Sequence, residues 1–436
     1  MQIVCLSISV LLFIYACVRR RCLFNPDVFM YGVWAVVIFL NALSLFGIKP
    51  ADDEVYLLVT AGMCSYLAGT VIYDIFSKVS IFPSAGSNKQ YSRTHLMNYR
   101  FIYLMAYITI FFLLIDLFIA VRYMMRGYSF VQVRTWMTET YSASTNPIMS
   151  RRSFIEQIFR VMVLSPFQMA VNPLCAVDFF FGNRSKRLLI LTLVIQLMGI
   201  VAGGGARLGV ILLGVSFITT YSIFIKKYGH KNRKVAPKKR RMRLLILVGC
   251  LAVAFLTLRR SSVRILEEAY YYFALCMPLL SYWLPIIKTY GHTHGMMSLF
   301  GIARVPFLAL DKVGIYTSGT YTRAYEYMIA ANTFHNIGHR VANSFVTPYY
   351  YMYIDGGYFA VIIGMILIGI IASKVYRKVV QTYDLKAIYF MLMIDIGLFY
   401  TFIRLETTAT NYVFALIFAV FFFKRSYRND LDNTDY

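Results

Sequence analysis

The most compact group of residues able to bind an anion is the stretch Ala202-Gly203-Gly204-Gly205-Ala206-Arg207. Consecutive glycines let the backbone turn sharply and present several N–H groups to one ligand. Arg207 then stands at the start of the following helix, where the helix dipole also favours negative charge. The stretch predicts an anion-binding turn, with a tight helical hairpin and an arginine that reaches the lipid interface as the competing interpretation.

Two histidines, His335 and His339, are spaced so that a helix would place both on one face. The spacing suits a metal site, but no Asp, Glu or Cys lies at ligand spacing to complete it, and we predict no metal. An imidazole can also act as a general base on a hydroxyl group, and a structural role is the third alternative. His292 and His294 form a similar but weaker pair.

A polar and aromatic stretch leads into a predicted membrane span near residue 355. Asn332 precedes it, and a run of tyrosines that includes Tyr350 ends at Asp355-Gly356-Gly357. The tyrosines suit either the aromatic belt of a membrane protein or stacking on sugar rings. Asp355 is a candidate helix cap, and the two glycines permit close helix packing.

Two segments between predicted spans, 121–160 and 259–354, are rich in arginine rather than lysine. The guanidinium group binds phosphate oxygens through two parallel hydrogen bonds and stays charged near lipid. We therefore predict a surface for a phosphate- or pyrophosphate-bearing ligand, with headgroup contacts and ordinary salt bridges as the alternative. The candidates in the second segment are Arg304, Arg323 and Arg340.

Two carboxylates, Asp116 and Asp395, fall inside predicted spans. A charge at that depth is costly, so each is a functional candidate by default. Carboxylates within spans also suit a transporter, so these two residues do not separate an enzyme from a transport protein.

The elements that must position all these residues are membrane helices. Of the 436 residues, 59% are hydrophobic and only 15% are charged, against about 25% charged in an ordinary soluble domain. We predict a single all-α polytopic membrane domain over 1–436, with 121–160 and 259–354 as external loops, the larger one partly helical. The eleven predicted spans are 2–17, 28–47, 56–75, 101–120, 161–182, 188–204, 208–225, 244–258, 355–372, 387–404 and 411–424.

Basic residues are concentrated in every second connection between the predicted spans, and this alternation predicts the topology. The densest basic segment, 226–243, is expected in the cytoplasm by the positive-inside rule. The same rule places the N-terminus outside and the C-terminus in the cytoplasm. The formal net charge of +24 lies largely at helix ends, so it indicates membrane orientation and not a nucleic-acid partner.

The stretch 270–287 is apolar enough to span the membrane. It contains Pro278, Pro285 and many aromatic residues, which favour an interfacial or re-entrant helix on the outer surface. If it crossed alone, the orientation of everything after it would be reversed. A pair of crossings, with 298–310 as the second, is the remaining alternative.

Nothing in the sequence predicts a bound nucleotide, a cofactor or a disulfide framework. The chain has no P-loop, Rossmann glycine pattern, nucleophile elbow or zinc-protease motif. Its seven cysteines are odd in number and lie mostly in apolar runs, which is typical of packing residues. A nucleotide-driven enzyme is thereby disfavoured.

In layout the chain resembles the Wzy-type O-antigen and oligosaccharide repeat-unit polymerases, which have many spans and two functional arginine-rich outer loops. The run Gly203-Gly204-Gly205-Ala206-Arg207 is similar to the glycine-then-arginine turn in the middle of such proteins. Asn332-Thr333, followed by Tyr350 and Asp355-Gly356-Gly357, is similar to their Asn-x-x-Thr and Asp-x-Gly stretch, although Asn332 and Thr333 are adjacent here.

The resemblance implies a glycosyltransferase that uses no nucleotide sugar. It would move a growing glycan from undecaprenyl pyrophosphate onto the next lipid-linked repeat unit, at the outer face of the bacterial inner membrane. The lipid-linked oligosaccharide is then both donor and acceptor, and whether a chain-length regulator also binds stays open. The implied catalytic residues are His335, His339 and Asp355. The implied pyrophosphate- and glycan-binding residues are Arg207 first, then Arg304, Arg323, Arg340, Gly203, Gly204, Gly205, Asn332 and Tyr350.

Two other functions remain open at this point. A flippase or transporter for lipid-linked sugars also has many spans, but its loops are usually short, unlike the 259–354 segment. A membrane acyltransferase that decorates glycans would also use external histidine and arginine. Membrane lipids are partners under each of these functions.

Overall fold

The structure is a computed structural model of the chain. It describes residues 1–20, 24–78, 92–129, 132–133, 136–137, 147–148, 152–202, 208–228, 265–315, 319–333, 335–337, 340–342 and 345–428. This part of the chain is mostly helical, which confirms a helical polytopic membrane architecture in its coarse form. Two short two-stranded antiparallel sheets are an addition that the hydrophobic pattern did not predict.

Two compact units divide the chain. Unit 1 comprises 1–83, 261–381 and 394–413, and unit 2 comprises 84–260, 382–393 and 414–436. In chain order the main elements are α1 (Gln2–Arg20), α2 (Pro26–Leu43), α3 (Asp53–Lys78), β1 (Ser92–Met97), α4 (Tyr99–Met125), α5 (Phe154–Phe181), α6 (Lys186–Ala202), α7 (Leu208–Tyr228), α8 (Ile265–Ala274), α9 (Cys276–Tyr290), α10 (Phe300–Lys312), α11 (Gly319–Asn332), β2 (His335–Ile337), β3 (Arg340–Ala342), α12 (Thr347–Thr382), α13 (Leu385–Phe399), α14 (Thr410–Ile417), α15 (Ala419–Phe422) and β4 (Phe423–Arg428).

Nine helices in the described ranges are long and apolar enough to cross a membrane. Eight of them coincide with predicted spans, and the ninth is Tyr270–Thr289. Of the other predicted spans, the described part of 188–204 lies in the shorter helix α6, 411–424 is divided among α14, α15 and the start of β4, and 244–258 lies outside the described residues. The number of eleven spans therefore stays a prediction.

The start of α2 shows how local sequence builds unit 1. Asn25 caps the helix by accepting the backbone N–H of Val28 at 3.1 Å, and Pro26 occupies the first turn. Asp27, also in the first turn, is only 2% exposed and accepts a hydrogen bond from Arg20 at 2.8 Å. A helix cap and a buried ion pair together fix the start of α2 against the last residue of α1.

Several basic residues of unit 1 form ion pairs and hydrogen bonds at one end of the unit. Arg19 of α1 pairs with Asp74 near the end of α3, and Arg377 of α12 donates to Ser77 of α3. The ends of α1, α3 and α12 therefore lie together, and we call this the basic end of unit 1. The structure groups connections that the charge pattern predicts to share one side of the membrane.

Two buried aspartates of unit 1 give a stability prediction. Asp27 holds Arg20, whereas neither carboxylate oxygen of Asp395 has a hydrogen-bond partner among the described residues. We expect Asp27→Asn to lower the free energy of unfolding by about 3–5 kcal/mol, because it leaves a buried guanidinium without its counter-charge. Asp395→Asn breaks no ion pair and is expected to change it by about 1 kcal/mol or less. Thermal unfolding of both variants in one detergent measures the difference, and equal losses would contradict this account.

The segment Tyr270–Thr289 lies along the end of unit 1 opposite the basic end. The Tyr270 hydroxyl donates to the carbonyl of Leu40, near the end of α2, at 2.7 Å. Lys288, at the other end of the segment, pairs with Glu54 in the first turn of α3 at 2.8 Å. The two ends of the segment therefore contact the end of α2 and the start of α3, which lie at the same end of unit 1. These contacts fit the predicted surface or re-entrant helix better than a helix that crosses the membrane.

Unit 2 has a basic end of its own, held together by carboxylates. Asp178, near the end of α5, accepts hydrogen bonds from the Tyr99 hydroxyl and from the backbone N–H of Ser185 at 2.8 Å. His95 lies in β1, which pairs with β4, and its Nδ1 is 3.0 Å from the carboxylate of Asp384. The segments before α4, before α6, before α13 and after α15 therefore meet at one end of unit 2.

Further along α4, both carboxylate oxygens of Asp116 accept hydrogen bonds from arginines. Arg152 and Arg160 each donate to one of its carboxylate oxygens at 2.7 Å, and Arg160 also contacts Glu156 at 2.8 Å. Arg160 begins a π-helical turn within α5. Burial lowers the pKa of Arg152, and the charge of Asp116 opposes that shift. Asp116 thus has a structural explanation, whereas Asp395 does not.

Candidate functional site

Helix α12 is broken at Gly356 and Gly357, which separate a buried half-helix, 347–355, from the membrane-spanning remainder. The two halves form a hairpin, because a Cβ at Gly364 in the second half would lie 2.8 Å from the sulfur of Met352 in the first. Gly357 has φ 63° and ψ −149°, a combination that essentially only glycine adopts. We call residues 356–357 the glycine tip.

The glycine tip lies at the end of unit 1 opposite the basic end. Tyr358, the residue that follows the tip, donates to the carboxylate of Glu54 in the first turn of α3 at 3.2 Å. Lys288 of α9 pairs with the same carboxylate at 2.8 Å. Glu54 therefore joins three elements around the tip and compensates the charge of Lys288.

Asp355, the last residue of the half-helix, is 5% exposed, and its carboxylate accepts three hydrogen bonds. The donors are the Thr293 hydroxyl at 2.6 Å and the backbone N–H groups of Met297 at 2.9 Å and Ser298 at 2.8 Å. All three belong to the loop 291–298, which Asp355 thereby folds against the glycine tip. This placement favours a positioning role over the predicted catalytic one, because the carboxylate is buried and already holds three donors.

His292 stands in that loop, and its side chain is exposed. Its Nδ1 lies 3.2 Å from the carbonyl oxygen of Ile354, the residue before Asp355. A carbonyl oxygen only accepts, so Nδ1 carries the hydrogen and Nε2 keeps its lone pair. The geometry therefore prepares Nε2 of His292 to accept a proton, which is what a general base must do.

Arg323, near the start of α11, is exposed and reaches the same loop. Its Nη1 donates to the carbonyl oxygen of His292 at 3.3 Å. A Cβ on Gly291 would lie 3.5 Å from that nitrogen, so the glycine leaves room for the guanidinium group. No carboxylate among the described residues pairs with Arg323, so its charge is uncompensated.

We call Glu54, Lys288, His292, Arg323 and Tyr358 the tip cluster. Its two cations differ, because Lys288 is neutralised by Glu54, whereas the partner of Arg323 within the described part of the chain is a neutral carbonyl. A guanidinium that can bind an anion therefore lies against the loop that carries an imidazole nitrogen able to take a proton. Such a pair can stabilise an anionic leaving group and activate a hydroxyl nucleophile.

Arg304 lies on α10, which packs against α11 through stacked aromatic rings. The ring centroids of Phe307 and Tyr321 are 4.3 Å apart, and those of Phe300 and Tyr321 are 5.7 Å apart with nearly parallel planes. Residues three and four apart share a helix face, so Arg304 lies on the side of α10 that meets α11. The structure therefore places Arg304 against the helix that carries Arg323.

His335 and Tyr350 belong to an aromatic cluster in unit 1. The His335 ring is 4.9 Å from the ring centroids of Tyr282 and Trp283. Tyr350 is 0% exposed, and its hydroxyl donates to the carbonyl of Tyr327 at 3.1 Å. The prediction that Tyr350 stacks on a sugar is contradicted, because the ring is packed inside the protein as part of the buried half-helix.

Asn332 ends α11, at the opposite end of that helix from Arg323. Its side-chain amide donates to the carbonyl of Met328 at 2.8 Å, within its own helix, so the structure does not bring it to the tip cluster. The other predicted site groups lie outside the described residues, and their roles stay predictions: Gly203, Gly204, Gly205, Arg207, His339 and the side chain of Arg340.

Sequence reasoning ranked His292 below His335 and assigned no role to Glu54 or Lys288. One signal for His292 was present, because Gly291 and Gly295 flank the His-Thr-His sequence. Both glycines have positive φ, 77° and 90°, so they form the tight turns that hold the loop. Glu54 and Lys288 gave no local signal, since their pairing depends on the packing of α9 against α3.

Comparison with protein-family models, curated proteins and solved structures found no match to this chain. We therefore infer a function from the residues of the site and their geometry. Within the described ranges, no three His, Cys, Asp or Glu side chains are grouped so as to hold a metal ion.

The glycine tip gives a second stability prediction. Gly357→Ala is expected to destabilise the protein by about 1–3 kcal/mol, because an L residue is strained at this backbone conformation. Gly356→Ala is the matched control, since its φ of −178° is extended backbone, although the new Cβ would press on Ala360 at 3.2 Å. Thermal unfolding of both variants tests this, and an equal loss at the two positions would show that the conformation of residue 357 is not the cause.

Proposed function

We propose that this chain is a membrane glycosyltransferase that joins oligosaccharide repeat units carried on undecaprenyl pyrophosphate, as the resemblance to Wzy-type polymerases implies. One observation carries the proposal: the guanidinium of Arg323, which pairs with no carboxylate in the described ranges, is hydrogen-bonded to the backbone of His292, whose Nε2 is oriented as an acceptor by the bond of Nδ1 to Ile354. Both residues lie beside the glycine tip, at the end of unit 1 opposite the basic end that contains Arg19 and Arg377.

The proposed reaction asks two things of these residues. The bond between the anomeric carbon of the donor glycan and the pyrophosphate oxygen breaks, and the guanidinium N–H groups of Arg323 stabilise the negative charge that collects on the pyrophosphate. The acceptor hydroxyl forms the new bond to the anomeric carbon and loses its proton to Nε2 of His292. Asp355 contributes indirectly, since it folds the loop that carries His292.

The positive-inside rule supplies the proposed orientation. If the basic ends of the two units face the cytoplasm, the glycine tip faces the outside of the bacterial inner membrane. The N-terminus is then outside and the C-terminus inside. A pyrophosphate-linked sugar that has crossed the membrane presents its headgroup on that outer side, within reach of the tip cluster.

A flippase for the same lipid-linked sugars is the second candidate. Discontinuous helices and buried carboxylates within spans mark substrate pathways in many transporters. The chain has both features, in the break of α12 and in Asp395. The enzyme is the first candidate because a transporter has no need of an exposed base beside an uncompensated arginine.

Gel electrophoresis of the surface glycan from a deletion strain separates the two candidates. Loss of a polymerase leaves a single repeat unit on the lipopolysaccharide core or other surface acceptor. Loss of a flippase leaves no repeat unit outside and traps carrier-linked units in the cytoplasm. A glycan ladder of normal length in the deletion strain would remove both functions.

A further inference from the structure

In unit 2, the arginine-rich segment 121–160 starts in the last turn of α4, and the end of that helix has a well-defined geometry. Gly127 has φ 87° and donates its N–H to the Met124 carbonyl at 3.0 Å, and Tyr128 donates its N–H to the Tyr123 carbonyl at 3.3 Å. These two bonds form a Schellman motif, which ends α4 and usually brings the residue after the glycine against the last helical turn. The backbone around Tyr128 is therefore fixed by the end of α4.

A second motif fixes the next turn. Ser129 accepts the backbone N–H of Gln132 through its hydroxyl at 3.3 Å, and the Gln132 side chain accepts the backbone N–H of Ser129 at 3.0 Å. This reciprocal pair is a capping box, the usual start of a helical turn. Two successive capping motifs thus fix the backbone of residues 127–129 and 132.

Three aromatic rings gather on this short frame. The ring centroids of Tyr123 and Trp136 are 5.6 Å apart, those of Tyr128 and Trp136 are 5.0 Å apart, and those of Tyr123 and Tyr128 are 5.7 Å apart. Tyr123 is buried and anchors the group, whereas Tyr128 is 43% exposed and Trp136 is half-buried. We call these three residues the aromatic platform.

The platform stands beyond the charged cluster of α4. Met125, the last residue of α4, is nine residues past Asp116, about 14 Å further along the helix. Arg122 and Arg126 are exposed beside the platform, and the Arg126 guanidinium lies 5.9 Å from the Tyr123 ring centroid. The rings are therefore accompanied by cations at the end of α4 opposite the basic end of unit 2.

We propose that the exposed faces of Tyr128 and Trp136 bind a glycan by stacking on a sugar ring, with Arg126 beside them for an acidic or phosphate group. If the three rings served only to stabilise the loop, we would expect all of them to be buried. The Schellman motif instead holds the Tyr128 ring partly in solvent. Tyrosine and tryptophan offer a large apolar face at low entropy cost, which suits the C–H face of a pyranose ring. The source of the sugar, a lipid-linked repeat unit, rests on the proposed function.

The test uses the fluorescence of Trp136, one of three tryptophans in the chain. The probe is the phosphate-free repeat-unit oligosaccharide released by mild acid from the parent strain's surface glycan, added to the full-length protein in nanodiscs. We expect a saturable change in emission that is absent in Trp136→Phe. Tyr128→Ala is expected to weaken binding at least about tenfold, by loss of one stacked ring. Tyr128→Phe, which keeps the ring, is expected to bind as the parent does.

Two results would overturn the proposal. Equal binding by the parent and Tyr128→Ala would show that the platform takes no sugar. Quenching of Trp136 by brominated lipid, with no response to the oligosaccharide, would show that the rings belong to the membrane's aromatic belt only. Thermal unfolding checks that Tyr128→Ala is folded, and Tyr128→Leu, which keeps an apolar side chain without a ring, replaces it if it is not.

The same titration separates the platform from the proposed function. Oligosaccharide binding together with an unchanged glycan ladder in the deletion strain would keep the platform and remove the polymerase. Loss of the ladder in the deletion strain, with no binding at the platform, would keep the polymerase and remove the platform.

Discussion

A His292→Asn variant is expected to insert into the membrane normally and to lose about 100- to 10,000-fold of the rate of glycan extension, the usual contribution of a general base. Asparagine can still donate to the Ile354 carbonyl, as Nδ1 does at 3.2 Å, so the loop keeps that contact. What the variant lacks is a nitrogen with a lone pair at the position of Nε2. The measurement is the rate at which membranes extend purified lipid-linked repeat units.

His294→Asn is the matched control for this prediction. His294 lies two residues away, is also exposed and has φ 50°, a conformation that asparagine tolerates well. Its side chain makes no contact with Arg323 among the described residues. We expect near-parental extension by this variant. Normal extension by His292→Asn, or equal losses in both variants, would remove His292 as the base.

The second large effect is expected at Arg323. Arg323→Ala should slow extension by about 100- to 1,000-fold, the usual effect of removing one preorganised donor to a developing anion. Arg323→Lys should recover only part of the rate, because an ammonium group keeps the charge but not the planar pair of donors. Since the charge develops as the leaving group departs, the loss should fall mainly on kcat, measured with purified lipid-linked repeat units.

Lys288→Met is the matched control, since it removes the other cation of the tip cluster. Lys288 is exposed and already paired with Glu54, and an exposed ion pair contributes about 1 kcal/mol or less. We therefore expect a change in rate of less than about fivefold. A larger loss in Lys288→Met than in Arg323→Ala would mean that the anion is held at Glu54 and Lys288, and that Arg323 has another role.

Hydropathy and charge predicted the membrane architecture well because both signals are local. A helix in lipid must satisfy its own backbone hydrogen bonds and must be apolar along its length. Each span can therefore be predicted from its own residues. Eight predicted spans coincide with helices that are long and apolar enough to cross a membrane. Within unit 1, the ends of α1, α3 and α12, which the alternation predicts to share one side, lie together through pairs such as Arg19 with Asp74.

Roles that depend on how a side chain packs could not be predicted from local sequence. Tyr350 and the exposed Tyr128 are both tyrosines near a helix end, but the first lies inside the protein and the second at a surface. Asp116 and Asp395 looked alike in sequence. Asp116 accepts hydrogen bonds from Arg152 and Arg160, whereas Asp395 has no such partner among the residues that the structure describes. Such differences arise from partners distant in sequence.

The sequence by itself determined that the chain is a basic, helical membrane protein with arginine-rich segments between its spans. The tertiary structure decided that Arg323 contacts the loop that carries His292 and not the strand that carries His335. The physical reason is the break of α12: the half-helix ends at Asp355, and its last carbonyls and carboxylate must find donors. The donors belong to the loop 291–298, and these long-range hydrogen bonds position the loop that carries His292.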